Sequence, residues 1–162
     1  MNNGTVKFIV NTGVIAALYA VLTLLLAPVS FGVVQVRISE ALCVLGLFTP
    51  SAIPGLTIGC FIANLLGPNG IVDALLGALA SLVGALGMYF LRKKMYLAPL
   101  VNVVSNGVII GLMLHYYYGE AIAPIVCILL VAFEEAVALY LLGMPLAKVI
   151  SSRPELLDNL SK

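Results

Sequence analysis

Apolar residues run through this chain in long blocks. They show neither the two-residue alternation of a half-buried strand nor the narrow stripe of a soluble amphipathic helix. A helix needs roughly 20 apolar residues to cross a bilayer. The first block, Phe8 to Ala27, meets that length before Pro28 closes it. The run Ile38 to Phe48 is short for a crossing and stops at Thr49-Pro50, where the proline disfavours helix in the residue before it. Ala52 to Leu66 ends at the turn signal Gly67-Pro68-Asn69-Gly70. Ile71 to Leu91 leads into Arg92-Lys93-Lys94, and Tyr96 to Tyr117 follows. Gly119 and Glu120 separate that run from the last, Ala121 to Ala147. The pattern predicts an all-α membrane protein, a bundle of about six transmembrane helices, forming a single integral membrane domain over residues 1–162.

Composition supports a lipid environment. Of the 162 residues, 62% are hydrophobic and only 9% charged, whereas soluble domains carry about 25% charged residues. A soluble fold of this length lacks the interior to hide so much apolar surface. The net charge of +1 offers no field for nucleic acid. No cationic leader with a small-residue cleavage site precedes Ala27, so the first block is expected to stay as a span. Cys43, Cys60 and Cys127 lie in apolar runs without a C-x-x-C pair and read as buried thiols.

Charge orients the spans. Lys7, the Arg92-Lys93-Lys94 cluster, and Lys148 with Arg153 fall on one side of a six-span bundle, as the positive-inside rule requires. Both N and C termini are therefore expected in the cytoplasm. Arg37 breaks the pattern at the outer end of the second span, where it either snorkels to headgroups or serves a site.

Ionisable groups at membrane depth are costly and normally face a bundle interior. Glu134 and Glu135 stand about 13 residues before Lys148, roughly 20 Å from the inner boundary at 1.5 Å per residue. Asn102 and Asn106 share a face of the fifth span, with Asn106 near the height of the glutamates. Asn64 and Asp73 lie near the outer ends of the third and fourth spans, and Gln35, Arg37, Ser39 and Glu40 crowd the start of the second. Asp73 could instead serve only its helix N-terminus, and Asn64 only a neighbouring helix. Adjacent Glu134 and Glu135 point about 100° apart, so at most one is expected at the centre of a pocket, the other being protonated or paired with Arg37. The polar set collects in the outer half, which suggests a pocket open to the outside and sealed from the cytoplasm. A pore would need polar lining throughout. His115 and Tyr116 to Tyr118 read as an interfacial belt.

Small residues recur at helical spacing: Gly55, Gly59, Ala63 and Gly67 in the third span, and Gly77, Ser81 and Gly84 in the fourth. They predict close helix packing within the chain. In the first span Ala16 and Ala20 could pack internally or face a partner subunit.

Enzyme signatures are missing. There is no G-x-x-x-x-G-K-S/T for ATP and no H-E-x-x-H. Glu134-Glu135 is similar to the E-E-x-x-x-R of intramembrane proteases, but Leu139 stands where the Arg belongs and His115 is the sole histidine. No cofactor is implied.

Specific stretches resemble the QueT family: GVVQVRISEAL from Gly32 to Leu42, then Pro50 to Gly55, Gly59 to Asn64 and Leu142 to Leu146, within a likeness that runs from about Ala16 to Leu146. The family consists of substrate-binding S components of energy-coupling factor (ECF) transporters in prokaryotic plasma membranes. The resemblance implies a six-helix receptor that captures a queuosine precursor, 7-aminomethyl-7-deazaguanine, outside the cell. It also implies a transmembrane coupling protein and two ATPase subunits as partners, with the S component toppling in the bilayer to deliver its ligand. Ala16 and Ala20 match the family's A-x-x-x-A docking surface for the coupling protein. Gln35, Arg37, Glu40, Asn64, Asp73, Asn102, Asn106, Glu134 and Glu135 become the expected substrate-binding set, with a stacking Phe or Tyr and the stretch Pro28 to Val36 as an outer gate. The chemistry is permissive: a vitamin-like nitrogen heterocycle, or an autonomous carrier of small solutes, would also suit the polar set.

Overall fold

The computed structural model describes residues 3–31, 35, 37–118, 122–153 and 155. Gly119 and Glu120, and residues 32–34 and 36 of the expected gate and family-like stretch, lie outside them. The described chain is helical: α1 (Asn3–Leu25), α2 (Ala27–Ser30), a 3-10 helix η1 (Ile38–Leu47), α3 (Ala52–Leu65), α4 (Gly70–Phe90), α5 (Ala98–Tyr118), α6 (Pro124–Val137), a π segment (Ala138–Gly143) and α7 (Met144–Ser151). Four stretches are long and apolar enough to cross a membrane: Asn3–Leu25, Gly70–Phe90, Ala98–Tyr117, and Pro124–Ser151, which runs through α6, the π segment and α7. η1 and α3 are shorter apolar helices.

Neighbouring helices pack in the order α1, α3, α4, α5, α6, and η1 fills the middle against α1, α3, α4, the π segment and α7. Its position explains its composition, since all but two of its ten residues are buried. Beyond Ser39 and Glu40 it is apolar, because it is surrounded. The 3-10 form was not expected, and it changes the geometry. It rises about 2.0 Å per residue against 1.5 Å in an α-helix, so a segment of 10 residues reaches further than its length suggests. It also eclipses residues three apart, which brings Glu40 and Cys43 into line.

The π segment has a local cause. Pro145 has no N–H to give the preceding turn, and its ring crowds the carbonyl four residues back. The wider π turn just before it accommodates that defect, directly below Glu134 and Glu135.

Close approach rests on glycine at two contacts. A Cβ at Gly59 of α3 would stand 2.7 Å from the Ala16 carbonyl oxygen of α1. A Cβ at Gly84 of α4 would overlap the Asn102 side chain of α5. The expected small-residue packing within the chain is therefore present. The main core, with Val44, Leu56, Met88 and Leu139 fully buried, lies toward the end of the bundle that carries Arg92-Lys93-Lys94. Large apolar side chains also cover the outside, including Ile9, Val14 and Val21 of α1, Leu75 of α4 and Phe133 of α6. Such faces suit lipid as solvent.

Candidate functional site

Ionisable and amide side chains meet at the other end of the bundle, around a small cavity. Its lining is Gln35, Arg37, Glu40, Asn106, Ile110, Val131, Glu134, Glu135 and Ala138. Six of the nine residues expected to form a site thus line one cavity. The remaining three, Asn64, Asp73 and Asn102, stand behind it and hold residues that do.

Arg37 caps η1 and is 8% exposed, so it does not snorkel. Its Nε donates to the Ser30 carbonyl at 3.2 Å and to Gln35 Oε1 at 3.0 Å, and its Nη1 donates to Asn64 Oδ1 at 3.1 Å. Nη2 lies 3.9 Å from Asp73 Oδ2. The guanidinium carbon sits 5.4 Å from the centroid of the Phe31 ring. One guanidinium thereby ties α2, η1, α3 and α4 together, a task suited to the planar five-donor fork of arginine. Asp73, fully buried in the first turn of α4, does more than serve a helix end. Asn64 Nδ2 donates to its carbonyl at 3.1 Å and to Oδ1 at 3.4 Å, and Asn69 donates to Oδ2 at 3.4 Å. The ion-pair partner of Arg37 is therefore Asp73, and pairing with one of the two adjacent glutamates, one of the two alternatives for the second of them, is not what holds it.

Glu40 is fixed by two neutral donors. Tyr19 of α1 gives its hydroxyl to Oε1, and Cys43, one 3-10 turn along, gives its thiol to Oε2 at 3.1 Å. Beside this contact Thr23 meets Ser39 at 2.7 Å and donates to the Tyr19 carbonyl at 2.8 Å. Asn102 of α5 donates its amide to Glu135 Oε1. One turn along, Asn106 Nδ2 donates to the Asn102 carbonyl at 3.2 Å.

Glu134 and Glu135 both line the cavity, each 6% exposed. At most one of them was expected at the centre of a pocket, and the lining includes both. They are not equivalent. Among the described residues the two oxygens of Glu134 meet no donor at full hydrogen-bonding geometry, although the Gln35 backbone N–H and the Arg37 charge lie on its side. Nη2 of Arg37 also lacks a hydrogen-bond acceptor among the described residues.

Tyr19 and Cys43 are the residues that sequence reasoning missed. A tyrosine in the middle of an apolar span, whose hydroxyl must find a partner, was the available signal. No aromatic side chain is among the lining residues, where stacking was expected; the apolar wall is Ile110, Val131 and Ala138. Ala16 and Ala20 are buried, each 7% exposed, with the Ala16 backbone turned to Gly59 of α3. The expected docking pair is inside the chain, because a one-residue step along α1 rotates about 100°. The small residues on the exposed face are Gly13 and Ala17.

Apolar outer faces around a charged inner cavity define a helical membrane protein that keeps a polar chamber within its bundle. The chain belongs to the QueT transporter family, whose model, described as "QueT transporter", matches residues 9–152. It is also 40% identical over 77 residues to the queuosine precursor transporter QueT of Lactococcus lactis subsp. cremoris strain MG1363. That match covers 46% of this chain and 45%, about half, of the relative's length. No solved structure matches the chain.

Proposed function

We propose that this protein is the substrate-capture component of an energy-coupling factor importer, and that its ligand is the queuosine precursor 7-aminomethyl-7-deazaguanine. In this reading the chain crosses the plasma membrane six times as a single domain, with η1 and α3 as its two short crossings and both termini inside. The cavity then lies in the outer half, and ATP is hydrolysed by two partner ATPase subunits through a transmembrane coupling protein.

The observation that carries the proposal is the surplus of acid in the cavity. Glu40, Glu134 and Glu135 line it with one guanidinium, and that guanidinium is already beside Asp73. Buried negative charge without a partner is costly. A ligand that is cationic and rich in N–H donors relieves that cost, and an aminomethyl deazaguanine is both. Its carbonyl asks for a donor, which Arg37, Gln35 or Asn106 supplies. The family membership and the name of the Lactococcus relative support the same choice.

Partner docking then falls on the exposed face of α1, with Gly13, Val14, Ala17 and Val21, and not on the buried Ala16–Ala20 side.

Calorimetry on the purified chain tests the ligand. Saturable, ATP-independent binding of 7-aminomethyl-7-deazaguanine is expected, with thiamine and other vitamins failing to compete. Failure to bind removes this ligand. Co-expression with an ECF coupling protein and its two ATPase subunits tests the partners, because a chain that purifies without any ATPase under those conditions is no ECF component.

A further inference from the structure

Two amides line the cavity, and each is held at one end by a group that cannot change its role. Gln35 Oε1 accepts from Arg37 Nε at 3.0 Å. A guanidinium only donates, so the oxygen must be the end of this amide turned to Arg37, and the NH2 is the end left over. Asn106 is held the opposite way round. Its Nδ2 donates to the Asn102 backbone carbonyl at 3.2 Å. A carbonyl only accepts, so the nitrogen must face Asn102, and Oδ1 is left over. Among the described residues neither Gln35 Nε2 nor Asn106 Oδ1 is one of the fully enclosed polar atoms that lack a partner. Arg37 Nη2 is one of them, which leaves Gln35 as the accessible donor beside it.

Resting on the deazaguanine reading above, we propose that Gln35 and Asn106 determine specificity in opposite senses: Gln35 Nε2 donates to the ring carbonyl of the ligand, and Asn106 Oδ1 accepts from one of its N–H groups. Arg37 and the Asn102 carbonyl keep either amide from flipping. A freely turning amide offers donor and acceptor alike and discriminates little. A locked one leaves the wrong ligand atom buried and unpaired, which is how a polar site rejects a close analogue.

Calorimetry with two cationic ligands tests the assignment: 7-aminomethyl-7-deazaguanine, and the analogue with an amino group in place of the ring carbonyl, a donor where the first has an acceptor. The wild-type chain is expected to prefer the carbonyl ligand by at least about tenfold. Gln35→Glu still accepts from Arg37 but presents an oxygen to the cavity, and is expected to cut that preference by at least about tenfold. Asn106→Asp adds the same charge while still presenting an oxygen. It is expected to keep the preference, and to bind the carbonyl ligand more tightly than Asn106→Ala does. An unchanged preference in Gln35→Glu, an equal loss of preference in Asn106→Asp, or an Asn106→Asp that binds no better than Asn106→Ala overturns the assignment. Should Gln35→Glu not fold in detergent, Gln35→Met removes the donor without adding charge, and a preference that survives it is equally fatal. Equal affinity of the wild-type chain for the two ligands overturns the assignment without any variant. A wild-type chain that binds neither ligand defeats the deazaguanine reading itself, a result distinct from a wrong reading of the amides.

Discussion

Tyr19 in the middle of α1 gives its hydroxyl to Glu40 of η1, so an otherwise apolar helix supplies the donor that fixes a cavity carboxylate. Both residues are buried, Tyr19 completely. Removing the hydroxyl leaves the buried carboxylate with one donor fewer. Tyr19→Phe is expected to lower stability by about 1 kcal/mol, read as a lower unfolding temperature in detergent. An unchanged midpoint would show that the contact contributes nothing.

Arg37→Lys keeps the charge and loses the fork. An ammonium cannot reach Ser30, Gln35 and Asn64 together, as the guanidinium does. Ligand affinity is expected to fall by at least about tenfold, or 1.4 kcal/mol, in a calorimetric titration. Wild-type affinity in this variant would mean that charge alone suffices.

Gly84→Ala tests how Glu135 is held. The added methyl would overlap Asn102 and push its amide away from the carboxylate. A cost of about 1–3 kcal/mol is expected from overpacking, measured by thermal unfolding, together with weaker ligand binding. A variant as stable as wild type would show that α4 and α5 can part without consequence.

Neighbouring alanines on α1 should behave oppositely. Ala16→Leu forces bulk against α3, where Gly59 already touches the Ala16 backbone, and should lower stability by about 1–3 kcal/mol. Ala17→Leu, on the exposed face, should leave folding and ligand binding intact while weakening co-purification with the coupling protein. If Ala17→Leu purifies with its partners as wild type does, that face is not the docking surface.

The long elements were legible because length and hydropathy alone specify them: α1, α4 and α5 lie within a few residues of the apolar runs that predicted them. The form of η1 was not legible. It is buried on nearly every side, and a ten-residue segment whose polar residues are confined to Ser39 and Glu40 carries no period from which 3-10 could be told from α. Likewise Gln35, Glu40, Asn106, Glu134 and Glu135 stand out against an apolar background, so their clustering could be read from depth along each helix. Depth does not give partners. Nothing in the sequence says that Asn64 and Asp73 hold Arg37, or that Asn102 holds Glu135, since those contacts depend on how helices distant in the chain are rotated. That Ala16 and Ala20 turn inward was not legible for the same reason, as the face of α1 is set by which residues α3 accepts.

The π segment carries a consequence for how this site tolerates change. It holds Glu134 and Glu135 at a fixed phase relative to Met144–Ser151, which is anchored through Ala147 and Ile150. A π turn takes up one residue more than an α turn, so deleting one residue between Ala138 and Gly143 would let the helix close as regular α with Glu134 and Glu135 still in phase with Met144–Ser151. The sixth helix therefore works as a slip joint as much as a wall. The acidity of the chamber depends on residue identity more than on the residue count beneath it, and a single-residue deletion there should do less damage than replacing both acids.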